Sequence, residues 1–204
     1  MKLTWYGHSC FLLESGEGSI VFDPFAPGSV PGWELPKLRA DAVICSHGHR
    51  DHGWREGVTL SGGRFTGTIE QLASFHDDRR GALRGENTIT LVEADGVRAV
   101  HMGDIGCALT AEQIDALGRV DVLMIPVGGH YTVDAAQARE IAKALGAAIV
   151  IPMHYRGRGF GYAVISTVEP FLSGMGGEIR RTGAFTVAIG ADTPGGVLVL
   201  GTES

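Results

Sequence analysis

The sequence predicts an α+β protein built on two β-sheets with helices packed outside them. Three observations carry this expectation. Short β-rich runs punctuated by Gly and Pro fill the first half of the chain. Capping boxes followed by apolar positions of 3.6 period mark helices in the second half. Further β runs lie among and after those helices, so both halves hold sheet, and two sheets with helices outside is the economical arrangement. With 204 residues, 44% hydrophobic and 20% charged, the chain can bury a sizeable core. No linker, repeat or charge run divides it, so residues 1–204 are read as one domain.

The elements follow in order. Residues 2–6, 10–14 and 19–23 read as strands separated by Gly7 and by Gly16 and Gly18. Asp23-Pro24 ends the third, and a loop holding Pro27, Gly28, Pro31, Gly32 and Pro36 follows. Residues 42–45 form a short buried-type strand. Strands are also expected at 64–68, 71–75, 88–93 and 97–100, the last two joined by the hairpin signal Asp95-Gly96. Thr110 and Gln113 form a capping box for a helix near 111–117 that Gly118 stops. After a β run at 120–127, Asp134 and Gln137 open a second helix, with Ala138, Ile141, Ala142 and Leu145 on one face and Gly146 at its end. A β run at 148–151 precedes a third helix, opened by Ser166 and Glu169 and ended by Gly176-Gly177. Strands at 178–182, 185–189 and 197–200 finish the chain.

A net charge of −6 argues against a general nucleic-acid binder, which needs a basic field. The 31 Gly carry no G-X-Y period and indicate tight turns and close backbone approaches. Three well-separated cysteines, Cys10, Cys45 and Cys107, make no disulfide framework. With no signal core and no apolar run near the ~20 residues of a spanning helix, a soluble cytoplasmic protein is expected, with no membrane partner.

The sharpest chemical signal is His47-Gly48-His49-Arg50-Asp51-His52, directly after the strand at 42–45. Three imidazoles and a carboxylate within six positions, on a loop beyond a strand end, can converge on one point. Their nitrogen and oxygen donors suit Zn²⁺, Mn²⁺ or Fe. Other ligand-type residues also sit where β runs end: His76-Asp77-Asp78, Gly103-Asp104 and His154. Loops at strand ends gather at one sheet edge, so these can join the first cluster.

This pattern resembles the metallo-β-lactamase superfamily. Tyr6-Gly7-His8-Ser9-Cys10-Phe11, Phe22-Asp23-Pro24-Phe25, Arg84-Gly85-Glu86-Asn87-Thr88, His101-Met102-Gly103-Asp104, Pro126-Val127-Gly128-Gly129 and Pro152-Met153-His154-Tyr155 extend the likeness over nearly the whole chain. They resemble a branch of small, single-domain Zn-dependent hydrolases related to sugar-phosphate lactonases. The resemblance implies an αββα sandwich of two mixed β-sheets, with up to two metal ions per chain at one edge. It implies that His47, His49 and His76 ligate the first ion, that Asp51, His52 and His154 ligate the second, and that Asp104 bridges them. The chemistry is then hydrolysis of a small substrate, an ester, lactone or phosphoester with anionic ones among the alternatives, by water activated on the metals. Asp51 and Asp104 are catalytic candidates in that scheme.

Several residues stay open in the sequence. His130, after the β run at 120–127, is a third catalytic candidate: a general acid, a substrate donor, or a solvated loop residue. His8 and His101 are read as packed or supporting histidines rather than ligands. Asp23 either holds a ligand imidazole or caps a turn. Cys107 either lines the pocket or approaches a metal. Arg84, Arg156 and Arg158 either hold an anionic group or are surface charges. A redox diiron protein is disfavoured because His49 stands where oxygen-reducing relatives carry Glu. Further alternatives are a nuclease or phosphodiesterase, and a non-enzymatic metal-binding or sensory protein on the same scaffold. A homo-oligomer is compatible with all of these.

Overall fold

The computed structural model describes residues 1–201. In the first sheet, β1 (Lys2–Trp5), β2 (Phe11–Ser15) and β3 (Gly18–Phe22) form an antiparallel meander. Alternating apolar positions such as Leu3, Trp5, Phe11, Leu13, Ile20 and Phe22 point its inner face into the core. A small two-stranded sheet pairs β4 (Leu38–Ala40) with β6 (Val58–Leu60), and β5 (Ala42–Ile44) between them in sequence joins β3 in parallel.

The second sheet begins with β7 (Thr68–Phe75), β8 (Glu86–Ala94) and β9 (Val97–His101), which are antiparallel. Helix α1 (Ala111–Leu117) leads to β10 (Val122–Pro126), helix α2 (Ala135–Leu145) to β11 (Ile149–Met153), and helix α3 (Glu169–Leu172) to β12 (Ile179–Arg181). Strand β13 (Thr186–Ala188) crosses back to pair with β1, and β14 (Gly196–Val199) returns to the second sheet. The orders are β13-β1-β2-β3-β5 and β12-β14-β11-β10-β9-β8-β7. Both sheets are mixed, and one apolar cluster running from Leu3 to Leu200 fills the space between them. Burying each Leu, Ile, Val or Phe there contributes roughly 1.5–3 kcal/mol.

The two outer faces differ. Helix α2 buries Ala138, Ile141, Ala142 and Leu145 against the second sheet. Its capping box at Asp134 and Gln137 and its left-handed Gly146 terminus are formed as expected, as is the box at Thr110 and Gln113 on α1. The first sheet carries no α-helix from its own half among the described residues. A second apolar cluster covers it, with Phe25, Val30, Leu38 and Val58 drawn from the Pro/Gly loop and the small sheet.

Two sequence expectations are corrected and one strand pair is added. The third helix is a single turn, Glu169–Leu172; Val168, not Ser166, occupies its N-cap, without a side-chain cap. Ser166 is instead held by backbone bonds to Gly128 and Arg156. The runs at 64–68 and 71–75 are one strand starting at Thr68, because β8 offers a continuous partner through Glu93. The β4·β6 pair was missed, since three-residue strands carry too little pattern to register.

Strand direction places the site. β1, β3 and β5 run the same way, as do β7, β9, β10 and β11. Their C-terminal ends deliver, in turn, His8, Asp23, the His47–His52 loop, His76, Asp104, His130 and His154.

Candidate metal centre

Two loops approach too closely for any side chain but hydrogen. At Gly103, φ is +57°, and a Cβ would collide with Ser46 and the Asn87 side chain. At Gly128 it would collide with the His154 carbonyl. These glycines let the β9 and β10 loops pack against their neighbours' loops.

Asp104 lies at the centre. Its Oδ2 is 3.1 Å from His52 Nε2, 3.2 Å from His154 Nε2 and 3.4 Å from His76 Nε2. The Ser9 hydroxyl donates to Oδ1 at 3.5 Å. Asn87 anchors the loop, accepting the Asp104 N–H at 2.9 Å while its own amide donates to Ser74 and to the Met102 carbonyl. The sequence segment around Arg84 held this anchor, but nothing local revealed that Asn87 serves a residue seventeen positions away.

Around Asp104, nitrogen donors fall into two groups. One ring nitrogen each of His47, His49 and His76 lies within 4.8 Å of the others, and the same holds for His8, His52 and His154. His47 and His52 also group with Asp104. Six predicted ligands are thereby brought together. Asp51 stands beside them, with Oδ2 3.4 Å from His8 Nε2 and 3.9 Å from His52 Nε2, and accepts a bond from the Tyr162 hydroxyl at 3.0 Å. His8, read from sequence as a supporting residue, sits inside the second group, whereas His101 does not. Both His101 nitrogens are bonded, to the Ser9 carbonyl and the Gly103 N–H, and its ring stacks on Phe22.

Asp23 is an imidazole holder. It accepts from His52 Nδ1 at 2.8 Å and from the Ser46 N–H and hydroxyl, both at 2.6 Å. This turns His52 Nε2 toward Asp104. Asp77 accepts four backbone N–H groups, from Arg79, Gly81, Leu83 and Arg84, and so shapes the loop after His76.

The electrostatics suit cation binding. Burial, then the neighbouring His52, pushes His47 down to about 3, and burial, then His154, does the same to His8. His76 is also lowered, chiefly by burial. Burial works against charge on His52, but Asp104 and Asp23 outweigh it and hold its pKa well above the ordinary value. Asp104 stays ionised well below the usual carboxylate range, because His154 and His52 overcome its burial. A divalent ion can replace the proton on His52 and take up buried nitrogens that make no hydrogen bond: His47 Nε2, His52 Nε2 and one of those of His154. The residues therefore fit a metal pair.

His130 is placed apart. It is exposed at φ +61°, its ring against Tyr131 and its carbonyl bonded to Arg84. Tyr131 in turn packs on Tyr162, and the Arg84 guanidinium lies over the Tyr131 ring. Arg156 and Arg158 line a different, aromatic cavity of about 670 Å³ with Trp5, Trp33 and Phe160. Cys107 is half-buried against the Phe75 carbonyl and stands outside the donor groups.

A family model described as the beta-lactamase superfamily domain matches residues 2–154, well over half of the chain. The chain belongs to the metallo-β-lactamase superfamily. Relatives agree. A metal-dependent hydrolase of Methanoregula boonei is 34% identical over 188 residues, covering 76% of this chain and 82% of its own. One from Methanoculleus marisnigri is 30% identical and covers 100% and 98%. The crystal structure of a protein assigned as a Zn-dependent hydrolase of this superfamily, from Thermotoga maritima, matches with a TM-score of 0.79 at 30% identity over 99% of each chain. This member of the superfamily is a metal-dependent hydrolase with two mixed sheets and a His/Asp donor cluster at their common edge. No helix among the described residues is long and apolar enough to cross a membrane.

Proposed function

We propose that the chain is one domain whose cluster holds two divalent ions, Zn²⁺ foremost with Mn²⁺ or Fe as alternatives, and that it hydrolyses a small anionic ester, lactone or phosphoester. The observation that carries this is Asp104 Oδ2, within 3.4 Å of imidazoles from both donor groups, where a shared carboxylate belongs. His47, His49 and His76 would hold one ion and Asp51, His52 and His154 the other. Bound there, the ions supply a water acidic enough to ionise near neutral pH and positive charge for the substrate oxygen.

The chain's own groups do the rest. Asp51 remains ionised, since contact with His8 and His52 outweighs its burial, so it can accept a hydrogen bond from the attacking water. Tyr162 ties its orientation to the loop at Ser29, its single hydroxyl proton shared between the Ser29 carbonyl at 2.6 Å and Asp51 Oδ2 at 3.0 Å. Arg84, Tyr131 and His130 form a rim leading to Tyr162. Arg84 suits the anionic part of a substrate, and His130, being exposed, suits a substrate contact better than proton transfer at the cluster. Metal analysis of protein purified without chelator, followed by a screen over lactones, phosphodiesters, thioesters and amides, tests the proposal. Protein that stays metal-free after incubation with each ion overturns it.

A further inference from the structure

We infer that His8 is an additional ligand of the second ion, so that the two metal positions differ in coordination number and metal preference. The inference rests on the two-ion reading above and goes beyond its ligand set.

His8 is placed as a ligand would be. It follows β1 at φ +52°, a left-handed conformation that costs a non-glycine residue about 1–2 kcal/mol. Its carbonyl accepts from the His154 N–H at 3.1 Å and from Trp5 Nε1 at 2.9 Å, fastening the turn to the His154 loop. The ring is only 1% exposed, yet neither nitrogen has a hydrogen-bond partner. His101 is as deeply buried and has both nitrogens satisfied. An imidazole in the core without partners is costly unless something else takes its lone pair.

The neighbours identify what that is. The His8 ring centroid is 4.0 Å from that of His154 and 4.9 Å from that of His52, with one nitrogen of each within 4.8 Å of the others. A simple hydrogen bond to Asp51 is the weaker account. The 3.4 Å from Nε2 to Oδ2 is long for N–H···O, and that oxygen already accepts from Tyr162.

With His8 included, the second position offers three imidazoles with Asp51 and Asp104, against three imidazoles and Asp104 at the first. Four donors match the tetrahedral preference of Zn²⁺. Five donors, with room for a water, favour an ion at home in five- or six-fold coordination, such as Mn²⁺, Fe²⁺ or Co²⁺.

Titration of the metal-free full-length protein with Co²⁺, read by visible absorption, tests this without any substrate. In wild type the first equivalent should give the intense d–d bands of four-coordination and the second the weak bands of higher coordination. His8→Ala should leave the first equivalent unchanged and weaken the second by more than about 100-fold, beyond the loss typical of an outer-shell partner. At saturating Co²⁺ its second set of bands should gain intensity, as a donor is lost. Two equivalents bound with unaltered second-ion bands in folded His8→Ala overturns the His8 assignment alone. Wild type that binds no Co²⁺ overturns the two-ion reading and this inference together. If His8→Ala does not fold, anomalous diffraction from Co²⁺-loaded wild type decides: a His8 nitrogen more than about 3 Å from the ion refutes it, given metal–nitrogen bonds of about 2.1 Å.

Discussion

The two donor groups around Asp104 are built in different ways. In the group His47, His49 and His76, His49 is exposed, His47 half-buried and His76 buried, and two of the three come from one short loop. His8, His52 and His154 are all buried and come from the ends of β1, β5 and β11, on both sheets. The open group is set largely by local sequence. Both groups need the sheets packed together, since His76 and His154 come from the second sheet, but the closed group draws each imidazole from a different strand end, with Asp23 and the core behind it holding it in place. The open group should therefore tolerate loosening of the fold, while the closed group should lose its ion first.

Asp104 is the element common to both groups, and Asp104→Asn should have the largest effect. Removing the charge that faces three imidazoles should lower affinity for both ions and cut turnover by at least ~10³-fold, about 4 kcal/mol. Metal content after dialysis and kcat on any identified substrate measure it. Loss of only one ion would show that the groups are not bridged.

Asp23→Asn separates the groups. It removes the charged partner of His52 and should weaken the second ion by about 10–100-fold and the first by less, because Asp23 reaches His47 only through the Ser46 hydroxyl. Competition with a chromophoric chelator reads both constants. Equal loss at both positions would contradict the division.

Acid should expose the same difference in metal-free protein. His8 is held near 3 in the fold, against about 6.5 unfolded, so below pH 6.5 the unfolded chain takes up a proton that the folded one refuses. Stability from this group is complete above about 6.5 and is lost as pH falls toward 3, at roughly 1.4 kcal/mol per pH unit. His47 acts in the same sense. His52 has the opposite sign: its raised pKa contributes stability that is full below 6.5 and is lost as pH rises through the folded value. The Tm of chelated protein should therefore fall between pH 6.5 and 5. His8→Ala should flatten that fall.

The smallest effect is expected at the rim. His130→Ala should raise KM a few-fold with kcat unchanged, measured on a substrate with a poor leaving group. A drop in kcat of ~10²–10⁴ would instead make His130 the general acid.

The donor chemistry and most of the frame are legible in the residues alone. Capping boxes at Thr110 and Asp134 specify their helices because the bonds they make are local, and the H-x-H-x-D-H loop declares its metal chemistry because four donors in six positions have no economical alternative use. Tertiary structure decided what depended on distance. Ser166 and Glu169 spell the same capping signal as Asp134 and Gln137, but the Ser166 backbone is bonded to Gly128 and Arg156, and the helix shrinks to one turn. His8 and His101 look alike in sequence, each one residue from a strand-end turn or within it. Only packing gives His101 a carbonyl and an N–H to bond and leaves His8 facing His52 and His154. A side chain's residue type states which partners it can accept; which partner it meets is settled by strands that are far apart in the chain and parallel in the sheets.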